Sequence, residues 1–186
     1  HGRARALYEE AIAACRAIGD DRGAAFGAIN LADVASRQGD VDAARALHAE
    51  ILATIRARGD RWTEAFALDT FALTTGRAGQ REAARSLHVE ALAILEELGD
   101  RRGVARVLTH LAELALSSDD TPRARDLFRR SLAIRQELGD MPGLAGAMEN
   151  LAGAVAADDA EAAARLHGSA ESLRESIRAA VPPQAA

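Results

Sequence analysis

A Gly-Asp pair recurs at Gly19-Asp20, Gly59-Asp60, Gly99-Asp100 and Gly139-Asp140, in steps of 40 residues, each time after an apolar helix-like stretch. The chain is therefore one unit copied several times. Such a unit buries its apolar face only against its neighbours, which predicts an elongated stack with a long surface and no enclosed centre. Binding, rather than chemistry in a sealed pocket, is the expected work.

Within each step the spacing of apolar residues is helical and divides in two. Val41, Ala44, Leu47, Ile51, Leu52 and Ile55 fall three or four apart, while Asp42, Arg45, Glu50 and Arg56 lie largely off that stripe. The preceding segment repeats the spacing in Ala24, Ala28, Leu31, Ala32 and Ala35. Weaker punctuation stands halfway between the Gly-Asp pairs, at Gly39-Asp40, Gly79-Gln80, Asp119-Asp120 and Asp158-Asp159. A glycine past a helix end takes the left-handed conformation, and the aspartate after it caps the next helix, so one dipeptide closes a helix and opens another. At Asp119-Asp120-Thr121-Pro122 the expected cap is Thr121, with Pro122 at the first helical position. Connections this short make consecutive helices antiparallel. The boundaries are a half-repeat over 3–18, pairs over 21–58, 61–98, 101–138 and 141–180, and a loose tail over 181–186, giving nine helices in a single stack. The chain opens on a second-helix pattern (Leu7, Tyr8, Ala11, Ile12, Cys15), so a first helix is expected upstream and the chain reads as a fragment. Its uncapped terminal faces invite self-association.

Written as columns, the copies give the core. Ala32, Ala72, Ala112 and Ala152 align on the first helices, and Ala44, Ala84, Ala124 and Ala163 on the second, small residues that let paired helices approach. Leu31, Phe71, Leu111 and Leu151, with Leu47, Leu87, Leu127 and Leu166, would fill the space between pairs. His48, His88 and His167 share a column with Tyr8 and Phe128, which reads as a packed ring position and not as a metal site, since equivalent positions in adjacent copies stand about 10 Å apart.

Composition narrows the function. Of 186 residues 48% are hydrophobic but only 3% aromatic, which suits close-packed helices. All 23 basic residues are arginine, a bias read as codon usage. A net charge of −5 argues against a nucleic-acid partner. No stretch reaches the roughly 20 apolar residues of a membrane span, and no leader opens the chain. Cys15 is the only cysteine, expected as a buried thiol, and a cytoplasmic location fits. No phosphate-binding glycine loop, His-Glu-x-x-His or Gly-x-Ser-x-Gly is present, so no enzyme activity, cofactor or metal is expected.

Asn30-Leu31-Ala32, Gln38-Gly39-Asp40 and Ala44, with Asn150-Leu151-Ala152, resemble the signature positions of the tetratricopeptide repeat family, over nearly the whole chain. The 40-residue period is longer than that family's usual length of about 34. It is similar to the long repeats of kinesin light chains, Leu-Gly-Asn-type polarity adaptors and bacterial regulators. Ser131 to Ile134, Glu137 to Asp140, and Ala164 to Glu171 ahead of Pro182-Pro183 resemble the C-terminal arrays of actinobacterial signal-transduction ATPases with LuxR-type or AfsR-type domains. The resemblance implies an all-α, right-handed superhelical solenoid of antiparallel helix pairs, serving as a protein- or peptide-binding scaffold within a larger regulator. The alternative it leaves is a sensor array for a small molecule or signalling peptide that controls an attached effector.

In that family the first helix of each pair lines the concave groove, and the asparagines matching Asn30 and Asn150 hold a peptide backbone. Their column continues through Thr70 and His110. One and two turns along stand Asp33 and Glu113, then Arg37 and Arg77, so the expected peptide-binding residues are Asn30, Asp33, Arg37, Thr70, Arg77, His110, Glu113 and Asn150. With no lysine, the chain lacks the carboxylate clamp of chaperone-binding members. Trp62 is expected to be partly exposed and to pack on the preceding turn.

Overall fold

The computed structural model describes residues 2–180. Within them the chain forms nine α-helices and no strand: α1 (Gly2–Ala17), α2 (Asp21–Arg37), α3 (Val41–Arg58), α4 (Arg61–Arg77), α5 (Arg81–Glu97), α6 (Arg101–Leu116), α7 (Thr121–Glu137), α8 (Met141–Val155) and α9 (Ala160–Ala180). The tail expected at 181–186 lies outside the described residues. Contacts group α1–α5 and α6–α9 into two compact units, divided between Gly99 and Asp100. In the first unit α1 packs on α2, α2 on α3, α3 on α4 and α4 on α5, and α2 also meets α4; in the second, α6 packs on α7, α7 on α8 and α8 on α9.

The connections work as the dipeptide chemistry requires. At the end of α1 the amide of Gly19 donates to the Arg16 carbonyl (3.2 Å) and that of Asp20 to the Cys15 carbonyl (2.9 Å), which satisfies two carbonyls of the last turn. The Asp20 carboxylate then accepts from the Gly23 amide at 2.8 Å and caps α2. Asp40, Asp60, Asp100, Asp140 and Asp159 cap the following helices in the same way. Gln80 replaces aspartate before α5 and makes no side-chain cap. Before α7 the cap is Asp120, which accepts from the Arg123 amide at 3.2 Å, and not Thr121, which is the first helical residue. The reason is one position upstream: Asp119 takes the left-handed conformation (φ 59°) that glycine fills elsewhere, as Gly59 does at φ 70°, so the next residue becomes the cap.

The alanine columns form the centre of each unit. Ala32, Ala72, Ala112, Ala152, Ala44 and Ala124 are fully buried, and Ala84 and Ala163 nearly so. Leu111, Leu151 and Leu127 are buried, whereas Leu31, Phe71, Leu47, Leu87 and Leu166 are half-buried. The deepest large side chains lie in neighbouring columns, at Ile29, Leu68, Leu95, Leu108 and Phe128. The ring column holds for His48, His88 and Phe128, all buried, but His167 is exposed. Cys15, expected to be buried, is half-buried.

Two acidic residues are buried, one of them in an otherwise apolar column. Glu64 stands where other copies have Ala24, Val104 and Leu144, and Asp69 where α2 has Ile29; both are buried. A buried carboxylate requires partners. Glu64 accepts from Arg56 Nε at 2.7 Å and Arg61 Nη1 at 2.9 Å; Arg56 continues to Glu90 (2.5 Å) and Arg61 to Glu97 (3.0 Å). The chain of charges ties α3, α4 and α5 together. Asp69 lies 2.9 Å from His88 Nδ1, joining α4 to α5.

Candidate peptide-binding seam

Residues 22, 26, 30, 33 and 37 of α2, and 62, 66, 70, 73 and 77 of α4, follow three- and four-residue spacing, so each set lines one face of its helix. Where α2 meets α4 these faces adjoin along a seam. At its amino-terminal end Phe26 packs against Phe66 (centroids 5.1 Å apart) and Trp62 (5.8 Å), and Trp62 stacks on Phe66 at 6.1 Å. The Arg22 guanidinium sits 5.1 Å from the Trp62 ring centre, a cation over an aromatic face. Trp62 packs across to the neighbouring first helix, where Phe26 places an aromatic surface. All three rings are half-buried. Together they form an apolar patch with wet edges, of the sort that anchors interface side chains.

One turn along, Asn30 Nδ2 donates to the Phe26 carbonyl at 2.9 Å and Thr70 Oγ1 to the Phe66 carbonyl at 3.0 Å. One amide hydrogen of Asn30 is thereby committed to its own helix, which leaves the second amide hydrogen and the carbonyl oxygen for other partners. The far end is charged. Asp33 Oδ2 accepts from Arg37 Nε at 2.7 Å, and Asp33 Oδ1 from Arg77 Nη1 at 2.6 Å across the seam. Burial works to raise the pKa of Asp33, but hydrogen bonds from Arg77 and Arg37 outweigh it and hold the carboxyl below its usual value. Two arginines on one carboxylate leave this end with a positive excess.

The structure therefore brings Asn30, Asp33, Arg37, Thr70 and Arg77 together in the first unit. His110 and Glu113 on α6 and Asn150 on α8 belong to the second unit, where His110 and Asn150 are half-buried and Glu113 is exposed. Glu113 and Asn150 make no side-chain hydrogen bond or ion pair among the described residues.

Of the three rings, the sequence singled out Trp62 alone. Their signal was present: Phe26 and Phe66 share a column, and Trp62 precedes Phe66 by one turn. Beneath the seam His48 is fully buried, stacked on Phe71 at 5.0 Å, with Nε2 3.4 Å from Thr74 Oγ1 and Nδ1 without a hydrogen-bond partner. Burial depresses its pKa to about 4, against a smaller opposing pull from Asp33, so the ring is neutral at ordinary pH. No helix among the described residues is long and apolar enough to cross a membrane.

Comparison with known proteins places the chain. Nothing matches it among curated proteins. Among solved structures, BtubC (BKLC) from P. vanneervenii is similar over 97% of this chain and 76% of its own, at 24% identity and a TM-score of 0.76. A Podosopora anserina protein of nearly identical TPR-like repeats, described as a kinesin light chain, is similar over 95% and 87%, at 16% identity and a TM-score of 0.69. MamA is similar over 95% and 94%, at 15% identity and a TM-score of 0.64. At these identities the likeness establishes the fold, an all-helical solenoid of the tetratricopeptide type. Repeats of this kind generally mediate protein–protein interaction. The tetratricopeptide repeat profile matches residues 24–97 and 63–137, together more than half of the sequence, and the chain belongs to the tetratricopeptide repeat family.

Proposed function

We propose that this chain is a peptide-binding scaffold segment of a larger cytoplasmic regulatory protein, and that the seam between α2 and α4 is where an extended peptide docks. The observation that carries the reading is the graded seam: three half-buried rings, then Asn30 and Thr70, then Asp33 bridging Arg37 and Arg77. Such a surface takes an apolar side chain at one end and an acidic one at the other, with polar atoms between them for the peptide backbone. His110, Glu113 and Asn150 provide the corresponding row in the second unit. The regulatory setting rests on resemblance to actinobacterial signal-transduction regulators, and within it this segment recognises a partner and performs no reaction. A protein partner, not a nucleic acid, fits the net charge of −5.

Panning a random peptide display library on the purified protein tests the reading. Enrichment of related sequences pairing an aromatic or aliphatic residue with a carboxylate, and their loss from an Asn30→Ala, Arg77→Glu variant, is the expected outcome. Equal retention by both proteins would remove the seam from consideration.

A further inference from the structure

Columns 24 and 28 differ sharply between α2 and α4. In α4 they hold Glu64 and Leu68, both buried, with the Glu64 carboxylate fixed by Arg56 and Arg61. In α2 they hold Ala24 and Ala28, and the corresponding space is a cavity of about 240 Å³ bounded by these alanines together with Ile51 and Ile55 of α3. Its rim keeps only part of the polar set of the filled copy, because Asp21 stands there where α4 has Arg61. Arg16 of α1 stands where α3 has Arg56, and Glu50 of α3 where α5 has Glu90. Arg56 and Glu90 are joined through the Glu64 network, whereas Arg16 and Glu50 have no ion-pair partner among the described residues. Arg58, also at the rim, is held by Asp21 at 2.5 Å. In α6 the same two columns are closed by Val104 and Leu108, whereas in α8 they hold Leu144 and Met148, which line a cavity against α9.

We propose that this cavity is a binding site for a short branched-chain aliphatic carboxylate. Residues four apart share one helix face, so the groups missing from Ala24 and Ala28 are missing side by side. Relative to Glu64 they are a methylene with its carboxylate, and relative to Leu68 an isopropyl group; joined, these are 3-methylbutanoate. The carboxylate takes the place of the Glu64 headgroup and meets the guanidinium of Arg16, a charge-assisted and geometrically matched pairing. The isopropyl group lies against Ile51 and Ile55. Glu50 at the rim receives an ammonium, so L-valine, which is 3-methylbutanoate with an amino group at C2, fits the same site with that group toward Glu50. The volume is sufficient for a molecule of this size. The site is independent of the peptide seam, and either can fail without the other.

Methyl NMR of isoleucine-labelled protein tests the proposal, with 3-methylbutanoate, L-valine and neutral 3-methylbutanamide as probes. Saturable shifts of the Ile51 and Ile55 methyls with the acid or with valine, and binding at least tenfold weaker for the amide, are expected. Ala24→Glu supplies in cis the carboxylate found in α4 and should abolish binding; Ala28→Leu, which fills only the apolar half and leaves Arg16 intact, should weaken it at least tenfold. The absence of saturable shifts with both acids, an equal response to the amide, or undiminished binding in Ala28→Leu or in folded Ala24→Glu would overturn it. Should Ala24→Glu not fold, Ala28→Leu and the amide comparison decide the matter.

Discussion

Replacing His48 by phenylalanine should make the first unit less sensitive to acid, by an amount the structure sets. The imidazole is fully buried, stacked on Phe71, and its pKa falls from 6.5 to about 4, chiefly through burial. A base whose folded pKa is depressed binds its proton more readily when unfolded. Above pH 6.5 both states are neutral and nothing is lost; between 6.5 and 4 the unfolded state gains protons first and stability drops; below about 4 the full penalty is present. A shift of this size corresponds to about 3 kcal/mol at 1.36 kcal/mol per pH unit. Phenylalanine carries no titrating group, and the column already accepts it at Phe128, which is 1% exposed. Trp62 is the only tryptophan and lies in the first unit, so urea unfolding followed by its fluorescence reads the relevant unit directly. Carboxylates titrate in both proteins and largely cancel. The stability of His48→Phe relative to wild type should grow by about 3 kcal/mol from pH 7 to pH 4. A difference that stays constant over that range, or shrinks, would refute the claim that His48 is held neutral by burial.

Glu64→Ala should destabilise the first unit by about 2 kcal/mol, since the hydrogen bonds from Arg56 and Arg61 are lost while Glu90 and Glu97 still hold those arginines; Glu64→Leu, the residue Leu144 provides in this column, should recover part of that loss in the same fluorescence assay. Leu111→Ala should cost roughly 2–5 kcal/mol in thermal unfolding by circular dichroism, against a small change for Ala at Glu97, which is exposed. Asp120→Ala should cost about 1 kcal/mol by removing the cap of α7, with Thr121→Ala nearly neutral; the reverse order would restore Thr121 as the cap.

Helix boundaries were legible because glycine and aspartate act through the backbone they belong to. A left-handed residue followed by a cap fixes a break with no reference to distant parts of the chain, and the alanine columns followed from the 40-residue period, with one residue deleted near Asp158. Glu64 and Asp69 were not legible as buried groups. Arg61 lies three residues before Glu64 on the same helix, but Arg56 and His88 are reached across helices, at separations the three- and four-residue rule does not cover. Thr121 was misread as a cap because Asp119 takes a left-handed conformation uncommon outside glycine. The polar row of the seam was read from resemblance to the family, and its geometry shows what resemblance leaves out: Asn30 spends one donor on Phe26, and Asp33 is shared by two arginines. The cavity beside α2 was written in the same columns, visible once Ala24 and Ala28 are set against Glu64 and Leu68.

Backbone amide NMR during titration of a display-enriched peptide puts the seam to the most direct test. Chemical-shift changes concentrated at Phe26, Asn30, Asp33, Trp62, Thr70 and Arg77 are the predicted result. Saturable binding with the changes confined to α3 and α5, and α2 and α4 unaltered, would contradict it.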